Sequence, residues 1–318
     1  MRKLSRGLAT ATLILLGPAV WAQYPAKPIS LVVPFPAGAT TDTVARVLAQ
    51  HASTSLGRQV VVENRPGAEG QLAAQEVAKS PPDGYKITLA TSGNLSILPA
   101  LRKAPPYDVV ADFTPVADIG RYAFFLYVNP ALPAKTFKEF IEHARANPGK
   151  LSYGTGNNTG VLVMGQIKSQ FGLDMVHVPY KGEPPALLDL VAGRTQAMIA
   201  TALGVPHMKE GRLRMLVQLL PRRSSLAPDV PVLSEIGMKD LPVTLWAALV
   251  GPAGMPADAV EKLNAAFNAA MARPEVLAQM DQIGFALTPG RPEALGAMIR
   301  DQALAYRSLT RTIGMQPE

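Results

Sequence analysis

The chain has 318 residues, 31 Lys and Arg against 24 Asp and Glu for a net charge of +7, and 48% hydrophobic residues. That length accommodates two domains of ordinary size, each with its own core. The complete absence of cysteine excludes disulfides, thiolate metal sites, a cysteine nucleophile and a lipidated N-terminal cysteine.

Residues 1–22 read as a secretory signal peptide. Arg2, Lys3 and Arg6 form a positive leading region, and Leu8 to Val20 forms an apolar run. Val20 and Ala22 then supply small residues at the two positions a signal peptidase inspects. The run is too short for a permanent membrane helix, and no later stretch reaches the ~18 apolar residues a span needs. The expected location is the periplasm. Cleavage after Ala22 removes three positive charges and lowers the balance from +7 to +4. That bias suits an anionic small ligand. No basic stripe marks nucleic-acid binding, and Arg222 and Arg223 read as a solvated loop pair.

From Ile29 onward, short strands and helices alternate. Ile29 to Val33 is an apolar strand, followed by the small-residue loop Ala37, Gly38, Ala39, Thr40, Thr41, Asp42. A helix then carries Val44, Val47, Leu48 and Leu56 on one face and stops at Gly57. Gln59 to Val62 and Tyr85 to Ala90 are further strands around a helix with Leu72, Ala73, Val77 and Ala78; the second runs into Thr91 and Ser92. Strands are expected again at Phe124 to Val128, Leu151 to Tyr153, Met175 to Val178, Gln196 to Ala200, Leu213 to Leu219 and Leu245 to Val250. Helices are expected over Thr136 to Ala146, up to Phe171 and from Pro185 to Val191, with three more opened by Pro256, Pro274 and Pro292. This alternation implies α/β architecture with parallel sheets covered on both faces. Phe124 to Val128 and Leu245 to Val250 read as crossings between lobes. Residues 23–123 and 246–318 then form one domain and residues 124–245 the other.

In open parallel sheets, ligands sit at the carboxyl ends of the strands. Here those ends are rich in Gly, Ser, Thr and Asn, and several open directly onto helices. The first N–H groups of a helix lack internal partners and carry partial positive charge, so a carboxylate can be held there without arginine. Glycine-rich turns before helices are common, and Asp42 and Thr159 also suit helix caps, so the signal is the set of loops rather than any one. Gly154, Gly156 and Gly160 approach the dinucleotide-binding fingerprint, but their spacing departs from it.

The matching stretches are long: Tyr24 to Gly38 followed by Asp42 and Arg46, Val62 to Ala68 with Gly70, Pro82 to Tyr85, Tyr153 and Gly154, His177 to Gly182, Leu226 to Pro231, and Gly251 to Pro256. Together they resemble the solute receptors of tripartite tricarboxylate transporters, the Bug family, across essentially the whole mature chain. The resemblance implies a two-lobed periplasmic-binding-protein (Venus flytrap) fold, each lobe a mostly parallel sheet flanked by helices. It implies capture of a small carboxylate-bearing solute and delivery to integral-membrane permease subunits. Mapped onto this chain, the ligand-binding residues would be Phe35, Ala37, Gly38, Ala39, Thr40, Thr41 and Asp42 with Thr91 and Ser92 in the first lobe. The second lobe would supply Thr155, Gly156, Asn157, Asn158 and Thr159, with Tyr180, Lys181 and Thr201. Four positions depart from the family pattern: Ala39 and Glu69 replace glycines, Leu162 a histidine and Gln196 an aspartate.

Catalysis finds little support in the chain, and a cleft Lys181 attracting a carboxylate needs fewer assumptions than a Schiff-base lysine. Gly-x-Ser-x-Gly and His-Glu-x-x-His are absent, and His51, His143, His177 and His207 are scattered singly. No catalytic residue, metal ligand or cofactor is expected, and the protein is expected to be a monomer without nucleic-acid partners. The alternative to uptake is presentation of the ligand to a membrane sensor kinase, which needs the same ligand-driven closure.

Overall fold

The computed structural model describes residues 24–220, 222–237 and 244–315. The signal peptide read over residues 1–22 lies outside them. Two sheets organise these residues. The first contains β1 (Ile29–Val33), β2 (Val60–Asn64), β3 (Lys86–Thr91), β4 (Phe113–Tyr122), β10 (Trp246–Pro252) and β11 (Phe285–Leu287), in the order β11-β4-β10-β3-β1-β2. The second contains β5 (Phe124–Val128), β6 (Ser152–Thr155), β7 (Val176–Pro179), β8 (Ala197–Thr201) and β9 (Arg214–Gln218), in the order β7-β6-β8-β5-β9. The chain leaves the first sheet after β4 and returns at β10.

Both sheets are mixed. The strands joined by helices pair in parallel: β1 with β2 and β3, and β6 with β7 and β8. The strands that cross between lobes run the other way, β10 against β3 and β4, and β5 against β8 and β9. A chain that enters a sheet from the opposite lobe arrives without a crossover helix, so it pairs antiparallel. β4, absent from the sequence expectation, lies between the edge strand β11 and β10. Its Pro115 and Gly120 interrupt the apolar pattern, and two register shifts against β10 accommodate them. Asp118 and Arg121 on the same strand pair with each other at 2.6 Å.

The local rules hold where they position the cleft. β1 is buried along almost its whole length because helices cover both faces. Helix Thr40–Leu56 buries Val44, Ala45, Leu48, Ala49 and Ala52 against the sheet and ends at Gly57, whose φ of 63° is left-handed. The C-terminal helix Pro292–Thr312 lies on the first lobe but reaches the second. Its Tyr306 and Leu309 join Ile97, Ala100 and Leu162 in one apolar cluster, edged by Ile313 and Met315. This cluster accounts for Leu162, fully buried where the family pattern has histidine.

Candidate functional site

The loops at the carboxyl ends of β1, β3, β6 and β8 face each other across the lobes. They enclose a cavity of about 30 Å³ lined by Phe35, Ala39, Thr40, Thr41, Thr91, Ser92, Gly93 and Tyr122 from the first lobe. Phe124, Asn157, Thr159, Glu183 and Thr201 line it from the second. The lobes close on one another here. Thr40 Oγ1 and Thr201 Oγ1 lie 2.7 Å apart across the cleft, and Asn158 Nδ2 donates to the Gly93 carbonyl at 3.1 Å.

The first-lobe wall is the opening turn of helix Thr40–Leu56. Ala39 is its N-cap, with extended backbone (φ −70°, ψ 156°) and no side-chain cap. A glycine is therefore not required there, and the first amides of the helix keep no intrahelical acceptor. Asp42 does not line the cavity. It fastens the loop: its carboxylate accepts from Gly38 N at 3.0 Å, Arg46 Nε at 3.0 Å and Asn64 Nδ2 at 2.9 Å. Burial works to raise the Asp42 pKa, but the Arg46, Gly38 and Asn64 bonds outweigh it and hold the group below the usual carboxylate range. Gly38 has φ +81°, the left-handed region the loop needs to turn into the helix.

The second-lobe wall begins at helix Asn158–Phe171. Asn157, not Thr159, caps it, accepting from Gly160 N at 2.9 Å. Thr155 is fully buried behind the cavity, with Oγ1 2.6 Å from His177 Nε2. His177 also stacks on Tyr153, ring centroids 5.1 Å apart, as a structural histidine would. Gly156 is a glycine for packing: a Cβ there would come within 2.3 Å of Glu183 N. Tyr180 turns aside to donate to Asp189 Oδ2 at 2.8 Å. Tyr180, Lys181 and Gly156 line a separate hollow of about 310 Å³ at the mouth, together with Pro36 and Glu69, and Phe35 stands between the two spaces. Ala37, Gly38, Asn158 and Lys181 are likewise outside the lining of the inner cavity.

Of the residues expected at the site, Phe35, Ala39, Thr40, Thr41, Thr91, Ser92, Asn157, Thr159 and Thr201 meet in one cavity. Gly93, Tyr122, Phe124 and Glu183 were missed. Glu183 matters most, because the strand ends otherwise carry almost no acidic side chains. It opens helix Glu183–Val191, where an acid is ordinary enough to escape notice. Its carboxyl accepts from Asn157 Nδ2 at 2.6 Å, from Thr201 N at 3.2 and 3.3 Å, and from Thr201 Oγ1 at 2.5 Å. Burial raises its pKa to about 7 against the lowering effect of those bonds. Tyr122 hydrogen bonds Thr41 Oγ1 at 2.8 Å, and burial keeps its phenol protonated. Among the described residues no Lys, Arg or His lines the cavity. Among the described residues no cluster of His, Asp or Glu could hold a metal, and no helix is long and apolar enough to cross a membrane.

The other departures from the family pattern have structural accounts. Glu69 sits at φ +59° beside Ala68 at φ +44°, a left-handed pair that suits glycine. Burial raises the Glu69 pKa while Arg102 opposes the shift. Gln196 Oε1 accepts from Ser152 N at 2.8 Å and Ser152 Oγ at 3.1 Å, tying β6 to the start of β8.

Comparison with known proteins agrees with this arrangement. Residues 44–315 match the tripartite tricarboxylate transporter family receptor. The fold superposes on the periplasmic binding protein BugD with a TM-score of 0.88 at 31% identity, covering 93% of this chain and 100% of that one. Rpa4515 of R. palustris, solved with adipate, gives 0.88 at 30% identity over 93% and 100% of the two chains. MatC (Rpa3494) of Rhodopseudomonas palustris, solved with malate, gives 0.85 at 28% identity over 90% and 99%. With two mixed α/β lobes closing on a cavity of helix amides and hydroxyls, and a match across most of its length, the chain belongs to the tripartite tricarboxylate transporter receptor family.

Proposed function

We propose that this protein is a periplasmic receptor that closes its two lobes on a small organic acid and hands it to integral-membrane permease subunits. The family is one of solute receptors, not enzymes. Residues 23–123 with 246–318 act as one lobe and residues 124–245 as the other, and residues 1–22 direct export. The observation that carries the reading is the shared cavity, where the first turn of helix Thr40–Leu56 meets Asn157, Thr159 and Thr201 of the opposite lobe. Relatives solved with adipate and malate favour an acid as the ligand.

The chemistry requires no cation. A carboxylate against the opening amides of the helix accepts charge-assisted hydrogen bonds worth about 1.5–3 kcal/mol each. Thr41 and Ser92 add hydroxyls from the same side, whereas the Thr91 hydroxyl donates to Asn94 Oδ1. Two or three such bonds, with lobe closure, reach the roughly −8 kcal/mol of micromolar binding. The ligand enters an open form and shifts the population toward a closed one shaped around it.

The test is a thermal-shift screen of small organic acids against their amides and esters, with mass spectrometry of whatever co-purifies. Stabilisation by acids that is lost on esterification supports the reading; indifference to the carboxylate removes it.

A further inference from the structure

The inner cavity has two unlike ends. Its first-lobe side presents helix amides and hydroxyls, which attract negative charge. Its second-lobe side presents the only formally charged side chain of the lining, Glu183. The partners of this carboxyl are arranged for the ionised form. Asn157 can only donate toward it, because Asn157 Oδ1 is committed to Gly160 N, and Thr201 N is a fixed donor. With Thr201 Oγ1 donating as well, both carboxyl oxygens are engaged by N–H or O–H groups. While Glu183 is ionised and accepts from Thr201 Oγ1, Thr40 Oγ1 is left to donate to Thr201 Oγ1.

Among the described residues no cation lies in the cavity lining to offset the charge. The other titratable groups that face it are the phenols of Tyr122 and Tyr127, from β4 and β5, both kept neutral by burial. A buried carboxylate with hydrogen bonds but no counter-charge is costly, and a donor brought by a ligand would relieve that cost. A second ligand carboxylate would instead lie against it as a like charge.

We infer that Glu183 determines specificity, so that the preferred ligand is a monocarboxylate carrying a hydrogen-bond donor at its other end: an ammonium, a primary amide or a hydroxyl. The ligand carboxylate faces the amides of Thr40 and Thr41, and the donor faces Glu183. This inference rests on the receptor reading above and narrows it. It also sets the protein apart from the relatives solved with the dicarboxylates adipate and malate.

The experiment is isothermal titration calorimetry of the full mature chain at pH 8, with matched probes of three lengths. The probes are succinate, glutarate and adipate, their monoamides, and the corresponding ω-amino acids. At the best-fitting length, the monoamide or amino acid should bind at least about tenfold tighter than the diacid. Glu183→Gln should collapse that preference and raise diacid affinity by a similar factor, and Glu183→Asp should retain the ranking. Should Glu183→Gln fail to fold, the wild-type ranking alone decides. Equal or tighter binding of the diacids by the wild type overturns the inference while leaving the acid receptor standing. Failure of every acid-bearing probe to bind overturns both.

Discussion

Replacing Glu183 by Gln should invert the usual expectation that loss of a hydrogen-bonded buried acid destabilises a protein. Glu183 is 6% exposed, and burial raises its pKa from 4.5 to about 7. Below about pH 4.5 the folded and unfolded chains both carry the proton. Between about 4.5 and 7 the folded chain holds it more tightly, so raising the pH through that window removes stability. The full loss, reached above pH 7, is about 2.5 pKa units at 1.36 kcal/mol each, or roughly 3 kcal/mol. Gln cannot ionise and escapes this loss. One face of its amide, however, meets a donor, either Asn157 Nδ2 or Thr201 N, and that mismatch costs about 1 kcal/mol. The variant should therefore be less stable than wild type by about 1 kcal/mol at pH 4, equal near pH 5, and more stable by about 2 kcal/mol at pH 8. Urea unfolding across pH 4 to 8 reads this directly. Parallel curves for the two proteins would refute the reasoning, because they would mean that Glu183 does not change its charge on folding within that range.

Three further outcomes follow from the same structure. Thr40→Val preserves shape but deletes the 2.7 Å bond to Thr201; it should weaken the closed form by about 1 kcal/mol, seen as a larger radius of gyration in small-angle scattering of the ligand-free protein. No change in that radius would show the bond to be idle. Glu69→Gly relieves a φ of +59° and removes a half-buried carboxylate, and should gain about 1 kcal/mol in urea unfolding; a loss of stability would mean that its interaction with Arg102 outweighs the strain. Leu162→Ala opens the cluster shared by Ile97, Tyr306 and Leu309 and should cost about 2–4 kcal/mol, with a correspondingly lower melting temperature.

Much of the fold was legible because it obeys local rules. β1, β5 and helix Thr40–Leu56 are continuous or periodic apolar runs closed by Pro or Gly, and β5 falls at the expected residues. β4 was not legible, because Pro115 and Gly120 read as breakers and its partners arrive from distant parts of the chain. The antiparallel course of the crossing strands was hidden for the same reason. At the cleft, hydroxyl residues of the loops from both lobes come to the cavity lining. What sequence could not separate was which side of a loop a residue takes. Asp42 and Tyr180 turn away to bind Arg46 and Asp189, whereas Glu183, two residues after Lys181, turns inward.

The apolar seam around Leu162 bears on how the molecule moves. Tyr306, at its centre, also donates to the Thr244 carbonyl at 2.7 Å, just before the chain re-enters the first sheet at β10. The seam therefore lies beside one of the crossing segments. Separating its side chains would expose buried hydrocarbon to water, whereas breaking Thr40–Thr201 and Asn158–Gly93 only exchanges hydrogen bonds for hydration. Opening should therefore favour motions that keep this seam packed and part the threonine-lined lips. Substituting Leu162 or Leu309 in that seam should alter how often the cleft opens while leaving the cavity lining unchanged, whereas Tyr306 also hydrogen bonds Ser92 of that lining.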